Sequence, residues 1–216
     1  MKQLSIAALF ALGLGAPALA ADPSLGWAEP ISDALWEKMQ GVSWHADLNC
    51  PARADLVVLN LPFRNYSGLP ELGQLVVARE LEIELLAIFG TLFREGFQIQ
   101  SMRPVSEFEG NDRKSMTANN TSAFNCRRVA GTTRMSNHAF GRAIDINPVQ
   151  NPFVTSSRTS PANGVDFDDA GERTPGVRGI ITEGSVVVQV FDAFGWDWGG
   201  RWNSLKDYQH FSKDGG

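Results

Sequence analysis

The chain has 216 residues and a formal charge of −5, with 24 acidic against 19 basic side chains. An acidic balance of this kind gives no electrostatic ground for a nucleic-acid partner. About 200 residues suit one domain with enough chain to bury a core.

The first twenty residues read as a secretory signal peptide. Lys2 is a minimal basic n-region, residues 4–15 are apolar, and Ala18-Leu19-Ala20 is a small-x-small cleavage signal. The stretch is too short and too poorly flanked for a transmembrane anchor, and no later segment is apolar enough to span a bilayer. The expected mature chain starts near Ala21, with Lys2 gone and a charge of −6, and is a monomer in the periplasm, the extracellular space or the cell wall. Export exposes Cys50 and Cys126 to an oxidising compartment, so a disulfide between them is expected over two buried thiols.

Residues 21–54 form an N-terminal extension in which Ser32 or Asp33 caps a short helix ending near Gln40. The main domain, residues 55–216, opens with a strand over 55–61, rich in branched apolar side chains and closed by Pro62. Residues 63–71 read as loop. From 72 to 95 the pattern predicts one long helix, with Val77, Leu81, Leu85, Ile88 and Leu92 at spacings of three and four and Gly96 as the stop. Residues 97–103 alternate at period two and predict a strand. The polar stretch 106–135 predicts a long functional loop. A strand follows at 141–147, then a second polar stretch, then a helix over 186–194 closed by Gly195, and a Gly- and Trp-rich hairpin region over 196–211. Irregular alternation of these elements predicts an α+β fold with one central, mainly antiparallel sheet packed by helices.

One stretch, Ser136 to Asp145, raises a chemical question. Asp145 interrupts the apolar run Ala143-Ile144-Asp145-Ile146, and a carboxylate there needs a hydrogen bond, an opposite charge or a metal. A turn at Gly141 lets a strand begin near Arg142, with Ala143, Asp145 and Asn147 on one face and Ile144 and Ile146 toward the core. Asp145 then shares a surface with His138. Near the C-terminus, Asp207 stands three residues before His210. Two imidazoles and one carboxylate suit a catalytic zinc with an open fourth position, and Asp207 would lie beside the metal without binding it. By spacing alone, isolated structural histidines and a carboxylate paired to Arg142 or Arg103 remain alternatives. His45 has no such context and reads as structural.

The pattern Ser136-x-His138-x-x-Gly141-x-Ala143-x-Asp145, followed by Asp207-x-x-His210-Phe211, resembles the zinc D-alanyl-D-alanine carboxypeptidase (VanY-like, M15) family of peptidoglycan metallopeptidases. The runs Asn119 to Arg127, Asp145 to Pro148 with Asn151-Pro152, and Gly195 to Gly200 resemble one subgroup, so the resemblance covers about residues 55–211. It implies a Hedgehog/DD-peptidase-like fold, Zn²⁺ on His138, Asp145 and His210, and Asp207 as catalytic carboxylate, a position that is glutamate in many members. It further implies Arg103 facing the scissile carbonyl and Ser136 near the substrate. The substrates implied are peptidoglycan stem peptides. A carboxypeptidase also needs a cation for the terminal carboxylate, and Arg127, Arg128 and Arg142 are the candidates. Endopeptidase specificity and a non-catalytic, zinc-stabilised cell-wall-binding module are the competing readings. Tryptophans 196, 198 and 202 read as packing, with one of them a candidate for the groove wall.

Overall fold

The computed structural model describes residues 26–171 and 173–215; the expected signal peptide, residues 1–20, lies outside them. Ser32 takes the N-cap position, its Oγ accepting the Leu35 N–H at 3.2 Å, and between them strand β1 (Trp27–Glu29) and helix α1 (Asp33–Met39) bring the N-terminal segment onto the main body. Strand β2 (Leu56–Arg64) runs antiparallel to β3 (Pro70–Ala78) through nine residue pairs, and β1 adds to the other edge of β2. Helix α2 (Glu82–Arg94) follows after one 3-10 turn, Arg79–Leu81.

The sheet β1-β2-β3 is a middle layer because its alternation is apolar on both faces. Val57, Leu59, Leu61 and Phe63 pack into the core shared with Leu85, Ile88, Phe89 and Leu92 of α2. Leu56 and Val58 face the other way, onto Met39, Phe124 and Cys126.

Two expectations for this region are corrected. Residues 72–95 are not one helix: 70–78 form β3, and the helical period holds only from Leu81 onward. Gly73, Val76 and Val77 are poor helix formers, and Leu75 and Val77 enter one core while Val76 enters the other. A nine-pair ladder with β2 outweighs a helical spacing that only Val77 extends upstream. Pro62 does not close β2, which runs on to Arg64. Pairing with β1 reaches only Asn60, so the missing N–H of Pro62 leaves no ladder bond unmade on that edge.

Gly96, at φ +75°, ends α2 as expected. The strand expected over 97–103 shrinks to β4 (Ser101–Met102). The stretch 106–135 is not a bare loop: it contains α3 (Asp112–Thr117) and β5 (Asn120–Thr121), which pairs in parallel with β4. The remaining elements are β6 (Ala143–Asp145), β7 (Phe153–Thr155), β8 (Arg158–Ser160), α4 (Val186–Ala193), β9 (Asp197–Trp198), β10 (Lys206–Asp207) and β11 (His210–Ser212). They form two more antiparallel sheets, ordered β6-β11-β9 and β10-β7-β8. The architecture is thus mixed, with small antiparallel sheets and few helices. It is compatible with an α+β fold, but the single central sheet expected from the sequence is replaced by several small ones. Among the described residues no helix is long and apolar enough to cross a membrane.

Cys50 and Cys126 are joined across 76 positions, tying the N-terminal segment to the chain that leads toward His138. Closing a loop of that length stabilises by up to roughly 4 kcal/mol in the chain-entropy model. Thiol titration of the unfolded, unreduced protein should count no free cysteine, and reduction should lower the melting temperature. Two titratable thiols would contradict the bridge.

Candidate metal centre

The site is assembled by strand register. Strands β6 and β11 pair antiparallel with His210 directly opposite Asp145. Asp145 exchanges its own N–H and C=O with Ser122 on its other side, at 2.8 and 2.9 Å. The His210–Asp145 pair is therefore of the non-hydrogen-bonded kind, in which facing side chains stand closest. Ile144 and Ile146 point into the core on the opposite face, as the alternation requires.

His138 arrives from a single 3-10 turn, residues Asn137–Phe140. Ser136 caps it, its Oγ accepting the His138 N–H at 3.3 Å. Gly141 closes it at φ +67°, and a Cβ there would sit 2.5 Å from the Ala78 nitrogen at the end of β3. Only glycine meets both demands. The Ala78 N–H to Gly141 C=O bond, 3.0 Å, then fixes the turn against β3.

Nε2 of His138, Nδ1 of His210 and Oδ1 of Asp145 form a near-equilateral triangle with edges of 3.2, 3.0 and 3.2 Å. Ligand atoms on a tetrahedral zinc with bonds of about 2.0 Å stand roughly 3.3 Å apart, so the donor set fits such an ion. Nδ1 of His138 lies 2.6 Å from the Ala123 carbonyl oxygen; donating there leaves Nε2 with its lone pair toward the triangle, the usual outer support of a metal-binding imidazole. All three side chains are buried, and among the described residues they are the one such group able to hold a metal.

Asp207 stands beside the triangle. Gly199 packs against it so closely that a Cβ on residue 199 would lie 2.6 Å from the Asp207 carbonyl oxygen. Its Oδ1 is buried without a hydrogen-bond partner, a state with a large desolvation penalty unless a further group completes it. Burial pushes the Asp207 carboxyl up to about 6, with His210 pulling it down and Asp145 pushing it up. Asp145 behaves oppositely: burial would raise it, but the charges and hydrogen bonds of His138 and His210 hold it well below the usual carboxylate range. Burial opposes charging of His138, yet Asp145 outweighs it and the imidazole is raised.

These groups line a cavity of about 590 Å³, shared with Ser136, Arg127, Arg134, Arg158 and Trp202 among others. Arg127 is held by Asp112 of α3 at 2.8 Å. Arg103 is not part of the lining; its guanidinium lies 3.7 Å from Glu107 and over the Phe108 ring at the surface. Of the other carboxylate-binding candidates, Arg142 is taken up by Glu80 and Asp214, and Arg128 bonds the Thr133 carbonyl. Trp196 and Trp198 are core residues, whereas Trp202 lines the cavity 5.5 Å from the His210 ring. His45 is not in the lining.

The sequence reading did not find the buried amides that replace missing strands around the site. Asn120 bonds both the N–H and the C=O of Arg103 at 2.9 Å. Asn147 bonds Gln100 N–H and the carbonyls of Gln98 and Gly179. Asn151 reaches Ile146, Gly179 and Ile181. Asn119 and Thr121 are likewise buried in this framework. Arg173 donates to four acceptors and lies 3.7 Å over Tyr208, burial drawing its pKa down to about 10. It braces the turn between Asp207 and His210 from behind.

A buried His-Asp-His triangle that could hold a metal ion thus lines an open cavity, with the Asp207 carboxylate in the same lining. The model of the D-alanyl-D-alanine carboxypeptidase family matches residues 130–213, a span that contains His138, Asp145, Asp207 and His210, and the match supports a peptidase of the M15 family. Neither the curated proteins nor the solved structures give a match.

The Gly141 geometry is directly testable. Gly141→Ala should destabilise the protein by about 2 kcal/mol or more in denaturant unfolding, from the left-handed backbone and the clash with β3 together. An unchanged midpoint would show that the turn is not held as described.

Proposed function

We propose that the protein is an exported zinc peptidase that hydrolyses peptide bonds in peptidoglycan stem peptides, with carboxypeptidase action at D-Ala-D-Ala as the favoured specificity. Residues 1–20 would be its signal peptide and residues 55–216 its catalytic domain, braced by residues 21–54. The observation that carries the reading is the triangle of donors 3.0–3.2 Å apart with the unpartnered Asp207 oxygen next to it.

His138, Asp145 and His210 would hold the zinc. When bound, the ion supplies Lewis acidity, polarising the scissile carbonyl and lowering the pKa of water toward ~7. Asp207, raised to about 6, is suited to take a proton from the attacking water near neutral pH and to return it to the leaving amine. The resemblance implies Arg103 for the scissile carbonyl, but its guanidinium lies by Glu107 and over Phe108, outside the cavity lining. Arg127, fixed by Asp112 and facing the cavity, is the better candidate for a substrate carboxylate or a developing oxyanion. Ser136 supports the site chiefly by capping the His138 turn. A module that used zinc only for stability would have no need of a further buried carboxylate in the lining with one oxygen unpartnered, which favours the enzyme.

Asp207→Ala should keep the fold and the bound zinc but lose at least ~100-fold in turnover of muropeptides, followed by mass spectrometry of the products. Wild-type turnover in this variant would remove Asp207 as the base. A wild-type protein that cleaves no stem peptide would sink the peptidase reading.

A further inference from the structure

His138 sits on a turn rather than a strand, so the pairing that sets His210 against Asp145 does not set its distance from His138. A second group of contacts spans that gap. The ladder between β6 and β11 runs one step past Ser212, the Lys213 N–H bonding the Arg142 C=O at 3.1 Å. Residues 213–215, directly after β11, then reach the turn from both of its ends. Arg142, next after Gly141, donates to both oxygens of Asp214, through Nε and through Nη2 at 2.8 Å, and its Nη1 donates to Glu80 just beyond β3. Asn137, one residue before His138, donates its Nδ2 to the Gly215 C=O at 2.5 Å. Its own C=O accepts the Arg142 N–H at 3.2 Å. The holding segment is itself anchored: Lys213 Nζ donates to Glu84 of α2 at 2.9 Å and to the Phe194 C=O at 2.5 Å.

Exposed ion pairs add little to stability as a rule, and half of the Asp214 side chain is accessible. Their effect here is one of position. Residues 210–215 carry one imidazole at their start, and at their end they hold the residues that flank the other. A metal site needs its donors within about 0.5 Å of the productive geometry, and a bidentate arginine–carboxylate pair fixes direction as well as distance. We infer that Arg142, Asp214 and Asn137 are positioning residues of the metal centre, holding the His138 turn at the spacing from His210 that a zinc ion requires. This rests on the zinc reading of the triangle and goes beyond it, by assigning part of the zinc affinity to a cluster that supplies no ligand.

The test reads zinc affinity rather than turnover. Chelator-stripped protein competes with a zinc-binding dye for the ion, and its metal-free unfolding midpoint is measured on the same sample. Asp214→Asn and Arg142→Gln should each weaken zinc binding about 10-fold, the low end of the loss when supports of metal ligands are removed. Both changes together should lose little more than Arg142→Gln alone, because they break one shared contact. Asp214→Asn, an isosteric change at an exposed position, should leave the metal-free midpoint unmoved; a midpoint that falls in step with the affinity would overturn the positional role. Arg53→Gln is the control. Arg53 is comparably buried, pairs with Asp33 and donates to the Ile31 C=O, and its segment carries no ligand, so zinc affinity should stay at the wild-type value. An equal loss in Arg53→Gln, or wild-type affinity in both Asp214→Asn and Arg142→Gln, would overturn the inference while leaving the zinc reading standing. A wild-type protein that binds no zinc would overturn both.

Discussion

The site depends on one pairing, His210 opposite Asp145 across β6 and β11. Side chains alternate along a strand, so a slip of one residue would carry His210 into the core and Phe211 to the cavity. The register is held from several sides. Phe211 stacks on Phe191 and Trp198 in the core, Ser122 occupies the far edge of β6, and the Ile146 N–H bonds the Gln209 carbonyl at 3.0 Å. The apolar face thus fixes the polar face, and two buried ionisable groups are pressed together that would not otherwise assemble.

The third corner follows from a different device. His138 is on no strand; its position comes from a capped turn clamped to the end of β3. That explains why the run from Ser136 to Asp145 carries small residues at fixed places: Ser136 caps, Gly141 turns and touches β3, and Ala143 is fully buried between neighbours. The disulfide and the paired strands β4 and β5 then hold the chain on either side, so that Arg127 and Asp112 form one wall of the cavity.

Much of this was legible in the sequence, and the unread parts share a cause. Local signals were reliable where local chemistry decides: the Ser32 cap, the stops at Gly96 and Gly195, and the turn at Gly141. The alternation around Asp145 correctly separated its face from that of Ile144 and Ile146. What failed was set by distant partners. Residues 72–78 are strand because β2 lies beside them, and residues 97–103 are mostly not strand because Asn120 and Asn147 take over their hydrogen bonds. Asparagines in polar stretches look like loop residues, and Arg173 looks like a solvent-facing cation. Only the fold reveals that they are buried. Arg103 was assigned by resemblance, and its side chain lies by Glu107 and Phe108.

The electrostatics give the triangle its meaning. Three donors at tetrahedral spacing, one imidazole bonded to a carbonyl, and a buried Asp207 oxygen without a partner are the features that the proposed zinc site would use. The most direct measurement is X-ray absorption at the zinc edge, with metal content determined on the same purified, zinc-reconstituted sample. The account predicts one zinc per chain, four-coordinate, bound to two imidazole nitrogens and to oxygen at about 2.0 Å, and lost in His138→Ala. A protein that takes up no stoichiometric ion, or holds one whose coordination lacks the two imidazoles, would contradict it.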